Sequence, residues 1–266
     1  MIKESDIKRM ADNLFDAEKK RKQIGLISSN FPEMTLKDAY AIQEKLIENK
    51  LSSGLIRKGW KIGLTSKAMQ RALNIETPDS GVLFDNMFFE NGSAIPQNRF
   101  IQPRIEAEIA FIMKEKISGK KITKSDIIDA TDYVCPALEI LDTRIKRSDP
   151  TTGQTRKIFD TIADNAANAG IILGNHTQNI EDCDLRRVGC ILKKNNEVEE
   201  TGLGAGILDD PVTAVLWLIR RLADFNGYLD KGDVVLSGSF IRPVETSFGD
   251  QVIADFDDFG FVSCTF

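Results

Sequence analysis

The stretch Arg104–Phe111, "RIEAEIAF", sets Glu106 and Glu108 two residues apart in an otherwise apolar run. Strand side chains alternate between faces, so Ile105, Ala107, Ile109 and Phe111 share one face and the glutamates the other. The pattern suits an ordinary half-buried strand with a solvated face. It also suits two carboxylates placed side by side to hold a cation. A third acid bears on the choice. Glu139 stands inside "YVCPALEILDTR", an almost wholly apolar run. A carboxylate there carries a large desolvation cost unless it is paired, for instance with Arg104 or Arg144, or bound to a cation. If the two strands are neighbours, three carboxylates converge with neither histidine nor thiol among them. All-oxygen ligation suits a hard cation, Mg²⁺ first and Mn²⁺ or Ca²⁺ next.

The remaining titratable residues narrow the chemistry. The chain has one histidine, His176, in the polar, turn-like "LGNHTQN". If it is an inert loop residue, Ser-His and Cys-His nucleophiles are unavailable. Acid–base work then falls to carboxylates, lysine, tyrosine or a metal-activated water. Cys135, Cys183, Cys190 and Cys264 form no C-x-x-C pair, so a zinc site is not expected. Free thiols in a reducing cytoplasm are the simplest reading. The net charge of −5 offers no electrostatic footprint for nucleic acid or an anionic membrane surface. No apolar run approaches the roughly 20 residues of a membrane span, and the charged N-terminus lacks a signal-peptide core.

The elements that must position these residues read as α+β. Ser5 is a candidate cap for a helix with Ile7, Met10, Ala11, Leu14 and Phe15 on one face. Thr35 and Asp38 form a capping-box pattern ahead of a second helix. "LIRKGWKIG" reads as a strand and "TSKAMQRAL" as a short helix. Strands are expected over residues 100–113, 133–142, 188–193, 233–237, 251–255 and 261–266. A hairpin is expected at Asn195 and Asn196. Asp210, Pro211 and Gly227 bracket a late helix. The organisation is a mainly helical N-terminal domain, 1–78, and a strand-rich catalytic domain, 79–266, carrying the metal site. "GLGAG" lacks G-x-G-x-x-G spacing and a preceding buried strand, so it is not a dinucleotide loop. "SGKKIT" is not a P-loop.

With those carboxylates, the motifs "GWKIGLTSKAMQ", "PDSGVLFDNMF", "YVCPALEILDTRI", "FDTIADNAANAGIILG", "VEETGLGAGILDDP" and "LSGSFIRPV" resemble the fumarylacetoacetase superfamily. The likeness is to its branch of 2-oxo-hept-4-ene-1,7-dioate hydratases, 2-hydroxypentadienoate hydratases and 4-oxalocrotonate decarboxylases. It runs in order through most of the chain after residue 40. The resemblance implies a mixed β-sandwich roll with a smaller N-terminal domain, assembled into a homo-oligomer. The apolar C-terminal "DFGFVSCTF" invites burial against something. The resemblance further implies Glu106, Glu108 and Glu139 as ligands of Mg²⁺, with Mn²⁺ as a substitute. Lys61 and Asp79 are implied as catalytic residues and Ser239 as part of the substrate site. Hydrolytic members use a His–Glu pair, absent here, so water addition to a 2-hydroxy-2,4-dienoate or 2-oxo-enoate, or decarboxylation, is favoured over C–C hydrolysis. "DNAANAG", with Asn168, differs among the branches. A noncatalytic partner subunit is the third reading, and the metal triad argues against it. Lys61, beside a cation and partly buried, is expected to have a lowered pKa. A diacid substrate also needs a cation for its distal carboxylate. "RIKRSDPTTGQTRKIF" offers Arg144, Arg147, Arg156 and Lys157, with Arg156 as the candidate.

Overall fold

In a computed structural model, the structure describes residues 2–72 and 75–266. Three helices open the chain: α1 (Glu4–Lys20), α2 (Ile27–Asn30) and α3 (Leu36–Ser52). Strand β1 (Arg57–Gly63), helix α4 (Lys67–Ala72) and strands β2 (Asp79–Phe84) and β3 (Phe88–Phe89) follow. The middle of the chain carries β4 (Arg104–Met113), α5 (Lys124–Ala130), β5 (Thr131–Leu141), α6 (Ile158–Ala163) and β6 (Asn168–Leu173). Next come the hairpin β7 (Gly189–Lys194) and β8 (Glu197–Leu203), then α7 (Pro211–Ala223). The chain ends with β9 (Val234–Ser239), β10 (Val244–Glu245), β11 (Gln251–Asp255) and β12 (Phe261–Thr265).

The strands form two sheets. The larger is mixed, in the order β2-β1-β9-β4-β5-β6-β3, with β10 beside β4. The smaller is antiparallel, β12-β11-β7-β8. They share one core, in which Ile105, Ala107, Ile109 and Phe111 of β4 meet Leu192, Val252 and Val262 of the smaller sheet and Leu218 of α7. The opposite face of β4 is also covered. Beyond the two glutamates, Ala110 and Ile112 pack with Cys135, Ala137, Ile171 and Leu236. Burial on both faces removes the solvated-strand reading of "RIEAEIAF".

The N-terminal helices build a second core. Met10, Leu14, Ile42 and Leu46 pack with Ile145, Ile162 and Ala163 from the body of the chain. The Thr35–Asp38 capping box is present at the start of α3. Ser5 does not cap α1: it lies inside the helix, whose cap position is Lys3 and carries no side-chain hydrogen bond. The expected end of α4 at Leu73 lies outside the described residues. The strand expected from residue 100 starts at Arg104, directly after Pro103, which lacks the N–H a ladder needs. The hairpin turns at Asn195 and Asn196, both at positive φ (53° and 68°), as its mirror-image turn requires. Asp210 caps α7 by accepting from Val212 N, with Pro211 at the first helical position. That helix ends at Ala223, and Asn226 rather than Gly227 takes the left-handed conformation beyond it. Strand β1, before residue 78, lies inside the larger sheet, antiparallel to β2 and parallel to β9. The C-terminal Val262, Cys264 and Phe266 are buried within the chain's own core, while Phe261 points outward.

Candidate metal centre and catalytic site

Antiparallel pairing of β4 with β5 sets Glu106 directly opposite Glu139, and Glu108 opposite Ala137. One carboxylate oxygen from each of Glu106, Glu108 and Glu139 lies within 4.8 Å of the other two. Two of the acids are partly tied down. Glu108 Oε2 accepts from Gly238 N at 2.7 Å. A break in register between β4 and β9 and a positive φ of 116° at Gly238 accompany that bond. Glu139 Oε1 accepts from Asn168 Nδ2 at 2.7 Å and lies 3.4 Å from Lys61 Nζ. Neither Arg104 nor Arg144 serves Glu139: they pair with Glu245 and Asp164. Glu139 Oε2 is buried and has no hydrogen-bond partner among the described residues.

Three acids this close repel one another, with Glu108 and Glu139 buried and Glu106 half-buried. Burial, then the charge of Glu139, pushes Glu106 up to about 8 and Glu108 well above the carboxylate range. A divalent cation relieves both effects and gives the orphaned oxygen a partner. The donors are all oxygen, as hard cations require. The residues therefore fit a Mg²⁺-type ion.

Lys61 and Asp79 lie beside the triad. Lys61 is on β1, opposite Gly81 of β2 and beside Leu236 of β9. Asp79 is the first residue of β2, opposite Gly63. Gly63 leaves room for both: a Cβ there would sit 2.2 Å from Asp79 Oδ1 and 3.1 Å from Lys61 Nζ. Burial draws the Lys61 pKa down, but Glu139, Asp79, Glu106 and Glu108 together outweigh it and hold the ammonium above the ordinary lysine range. This is opposite to the lowered value expected, because four carboxylates face one ammonium. Burial and the nearby Glu139 raise Asp79, against the pull of Lys61 and Arg221. Its Oδ1 is buried without a hydrogen-bond partner among the described residues.

These groups open on a cavity of about 590 Å³. Lys61, Asp79 and Glu106 line it, and so do Arg156, Lys157 and the apolar Phe159. Of the four basic residues weighed for a distal carboxylate, Arg144 is bound to Asp164 at 2.6 Å and Arg147 to Glu245 at 2.8 Å. Arg156 lines the cavity, with Nη1 donating to Thr143 Oγ1 at 2.6 Å. Ser239 pairs with Glu108 across the sheet but does not line the cavity, and its hydroxyl donates to Ile241 O at 2.8 Å. His176 is exposed and does not line this cavity.

Sequence reasoning missed the backbone that frames Glu139. Asn165, Ala166 and Ala167 follow one another at φ 51°, 52° and 58°. Left-handed non-glycine residues cost about 1–3 kcal/mol each and persist only where surroundings over-determine them. Here Asn165 clamps β2, donating to Val82 O at 2.9 Å and accepting from Val82 N at 2.8 Å. Asp142 N donates to Ala167 O at 2.9 Å. Glycine is the usual signal for such a turn, and "DNAANAG" places none within it.

No family model matches the chain. The 2-oxo-hept-4-ene-1,7-dioate hydratase of Escherichia coli is 47% identical over 257 residues, covering 97% of this chain and 96% of that protein. The solved 4-oxalocrotonate decarboxylase of Pseudomonas putida G7, complexed with magnesium and adipate, superposes with a TM-score of 0.93. It is 31% identical and covers 100% of this chain and 99% of its own. A fumarylacetoacetate hydrolase family protein of Yersinia pestis, 12% identical, shares the fold with a TM-score of 0.56, covering 79% of this chain and 93% of its own. The fold, the order of motifs and these likenesses agree: the chain has the fold of the fumarylacetoacetate hydrolase proteins and belongs to the family of 2-oxo-hept-4-ene-1,7-dioate hydratases and 4-oxalocrotonate decarboxylases.

Proposed function

We propose that this chain is a divalent-metal-dependent hydro-lyase that adds water to 2-oxo-hept-4-ene-1,7-dioate to give 4-hydroxy-2-oxoheptanedioate, in aromatic-compound catabolism. The observation that carries the reading is a triad of carboxylates, two of them buried, whose third member Glu106 lines a cavity together with the Arg156 guanidinium. Glu106, Glu108 and Glu139 would hold Mg²⁺, or Mn²⁺ in its place. When bound, the ion supplies Lewis acidity toward the 2-oxo-acid end of the substrate.

The chain's own residues then divide the proton work. Asp79, with an unpartnered oxygen and a raised pKa, takes the proton from C3. Lys61, held protonated by its acidic neighbours, delivers one at C5. The 4-ene becomes a 2-oxo-3-ene. Water adds its oxygen at C4, and a proton returns to C3, so the sum is one water gained. Arg156 orients the substrate through its distal carboxylate by a charge-assisted, bidentate contact. Ser239 supports the site through its strand, beside Glu108.

A substrate panel with added Mg²⁺ tests this reading, comparing a five-carbon monoacid dienol with six- and seven-carbon diacids. The seven-carbon diacid should turn over best and release no CO₂. Arg156→Ala should raise its KM about 10–100-fold, from the loss of a charged hydrogen bond, and leave the monoacid unchanged. Stoichiometric CO₂ release would favour the decarboxylase reading, which the superposition on 4-oxalocrotonate decarboxylase supports. The reading extends to a homo-oligomer in the cytoplasm. Exposed Phe248 and Phe261 support assembly, and a monomeric mass by light scattering would overturn it.

A further inference from the structure

Glu139 owes its orientation to a residue outside the acid cluster. Asn168 is buried, and its amide Nδ2 donates to Glu139 Oε1 at 2.7 Å. The assignment of nitrogen and oxygen is forced by chemistry, since a carboxylate accepts and cannot donate. With Oε1 engaged by Asn168 and Lys61, the second oxygen is the one left without a partner among the described residues. Two irregularities bring Asn168 there. In a regular ladder Asn168 would share a face with Gly170 and Ile172, away from Glu139, whose partner on β6 is Ile171. The pairing of β5 with β6 instead shifts between Ile140 and Leu141, so that Ile140 faces Gly170 and Leu141 faces Asn168. Ala169 is the extra residue of a bulge, and it turns Asn168 onto the face of Leu141 and Glu139. The left-handed turn Asn165–Ala167 then ends immediately before Asn168, with one end bonded to Val82 of β2 and the other to Asp142, just past the end of β5.

We propose that Asn168 is a positioning residue for the metal centre: delivered by the bulge and the left-handed turn, its amide holds Glu139 so that Oε2 is presented to a divalent cation. This rests on the metal-dependent reading above. Hydrogen-bonding partners of metal ligands fix ligand orientation, and their loss typically costs about 10–100-fold in metal affinity.

The test is direct Mn²⁺ binding to the metal-stripped full chain, by calorimetry and electron paramagnetic resonance, for wild type, Asn168→Ala and Asn168→Ser. Asn168→Ala should weaken Mn²⁺ binding about 10–100-fold and alter the resonance of the bound ion. Its metal-free melting midpoint should stay close to wild type, and turnover should recover at saturating Mn²⁺. Asn168→Ser, which keeps a shorter donor, should fall between the two. If Asn168→Ala does not fold, the serine variant decides. Mn²⁺ affinity within twofold of wild type in the folded variants overturns the role of Asn168 alone. A wild-type chain that binds no Mn²⁺ overturns the metal reading and this inference with it.

Discussion

Buried acids occur in two neighbouring parts of this molecule on opposite terms. Below the N-terminal helices, Asp164 accepts from Arg144 N and Nε at 2.8 and 2.6 Å. Asp160 accepts from Ser28 N, Ser28 Oγ and Lys157 N. Lys50, almost wholly buried, meets Glu18 at 2.6 Å. Asp160 and Asp164 have donors enough to replace water, and Glu18, partly exposed, is paired with Lys50. In β4 and β5, Glu106, Glu108 and Glu139 have Lys61 as their nearest ammonium, and Glu139 Oε2 has no donor among the described residues. The first arrangement is complete in the polypeptide alone. The second is complete only with a further positive charge. Burial therefore does not distinguish a structural acid from a functional one, whereas the count of unsatisfied oxygens does.

The sharpest break between the regions should come from chelation. Stripping the metal should abolish turnover, and Mg²⁺ or Mn²⁺ should restore it, while the ion pairs under the helices stay intact. Full activity in a chain verified as metal-free would erase the distinction. Next, Lys61→Ala or Asp79→Asn should lower turnover about 10²–10⁴-fold, as for lost acid–base groups, with Mn²⁺ stoichiometry unchanged. Loss of the metal in either variant would mean that these residues serve binding.

The remaining two outcomes concern stability and have opposite signs. Asp164→Asn leaves Arg144 buried without its counter-charge and should cost about 3–5 kcal/mol. That corresponds to a drop of roughly 6–20 °C in melting midpoint. Glu106→Gln should instead stabilise the metal-free chain. Burial and the charge of Glu139 push the Glu106 carboxyl up to about 8, from an ordinary value of 4.5. Its contribution is thus fully present below pH 4.5 and is lost as pH rises through about 8. The variant should lack that decline, and melts of the metal-free chain at pH 5 and pH 9 read it directly. Equal slopes for the two proteins would remove the repulsion argument.

What could be read from the sequence was what local chemistry determines. The Thr35–Asp38 box and the Asp210–Pro211 start involve residues within one turn, so their spacing is their structure. Glu106, Glu108 and Glu139 stood out because charge interrupts apolar runs. Ser5 was misplaced because cap preference is weak against helix fraying of a residue or two. β2 escaped because Pro78 beside Asp79 carries the chemistry of a turn. Asn168 stood out with its stretch, but its contact with Glu139 escaped for a deeper reason. Its orientation depends on a bulge and on three left-handed residues of which none is glycine, both imposed by partners distant in the chain. The pKa of Lys61 went the other way for a similar reason: its sign is set by how many acids the fold gathers.

The parallel pairing of β1 with β9 sets Lys61 beside Leu236, and it has a kinetic consequence. The three acids sit on β4 and β5, antiparallel neighbours with one helix between them, and that ladder closes over a short loop. Lys61 and Gly238, the donor to Glu108, belong to strands separated by most of the polypeptide. Closing that long loop is the slow, entropically costly part of folding. During synthesis from the N-terminus, the acidic pocket can gather before the lysine and its neighbouring strand are locked together. Competence for proton transfer thus arrives last, when the final third of the chain has been made, and a truncated product ending before β9 retains the acids without the strand that aligns the lysine.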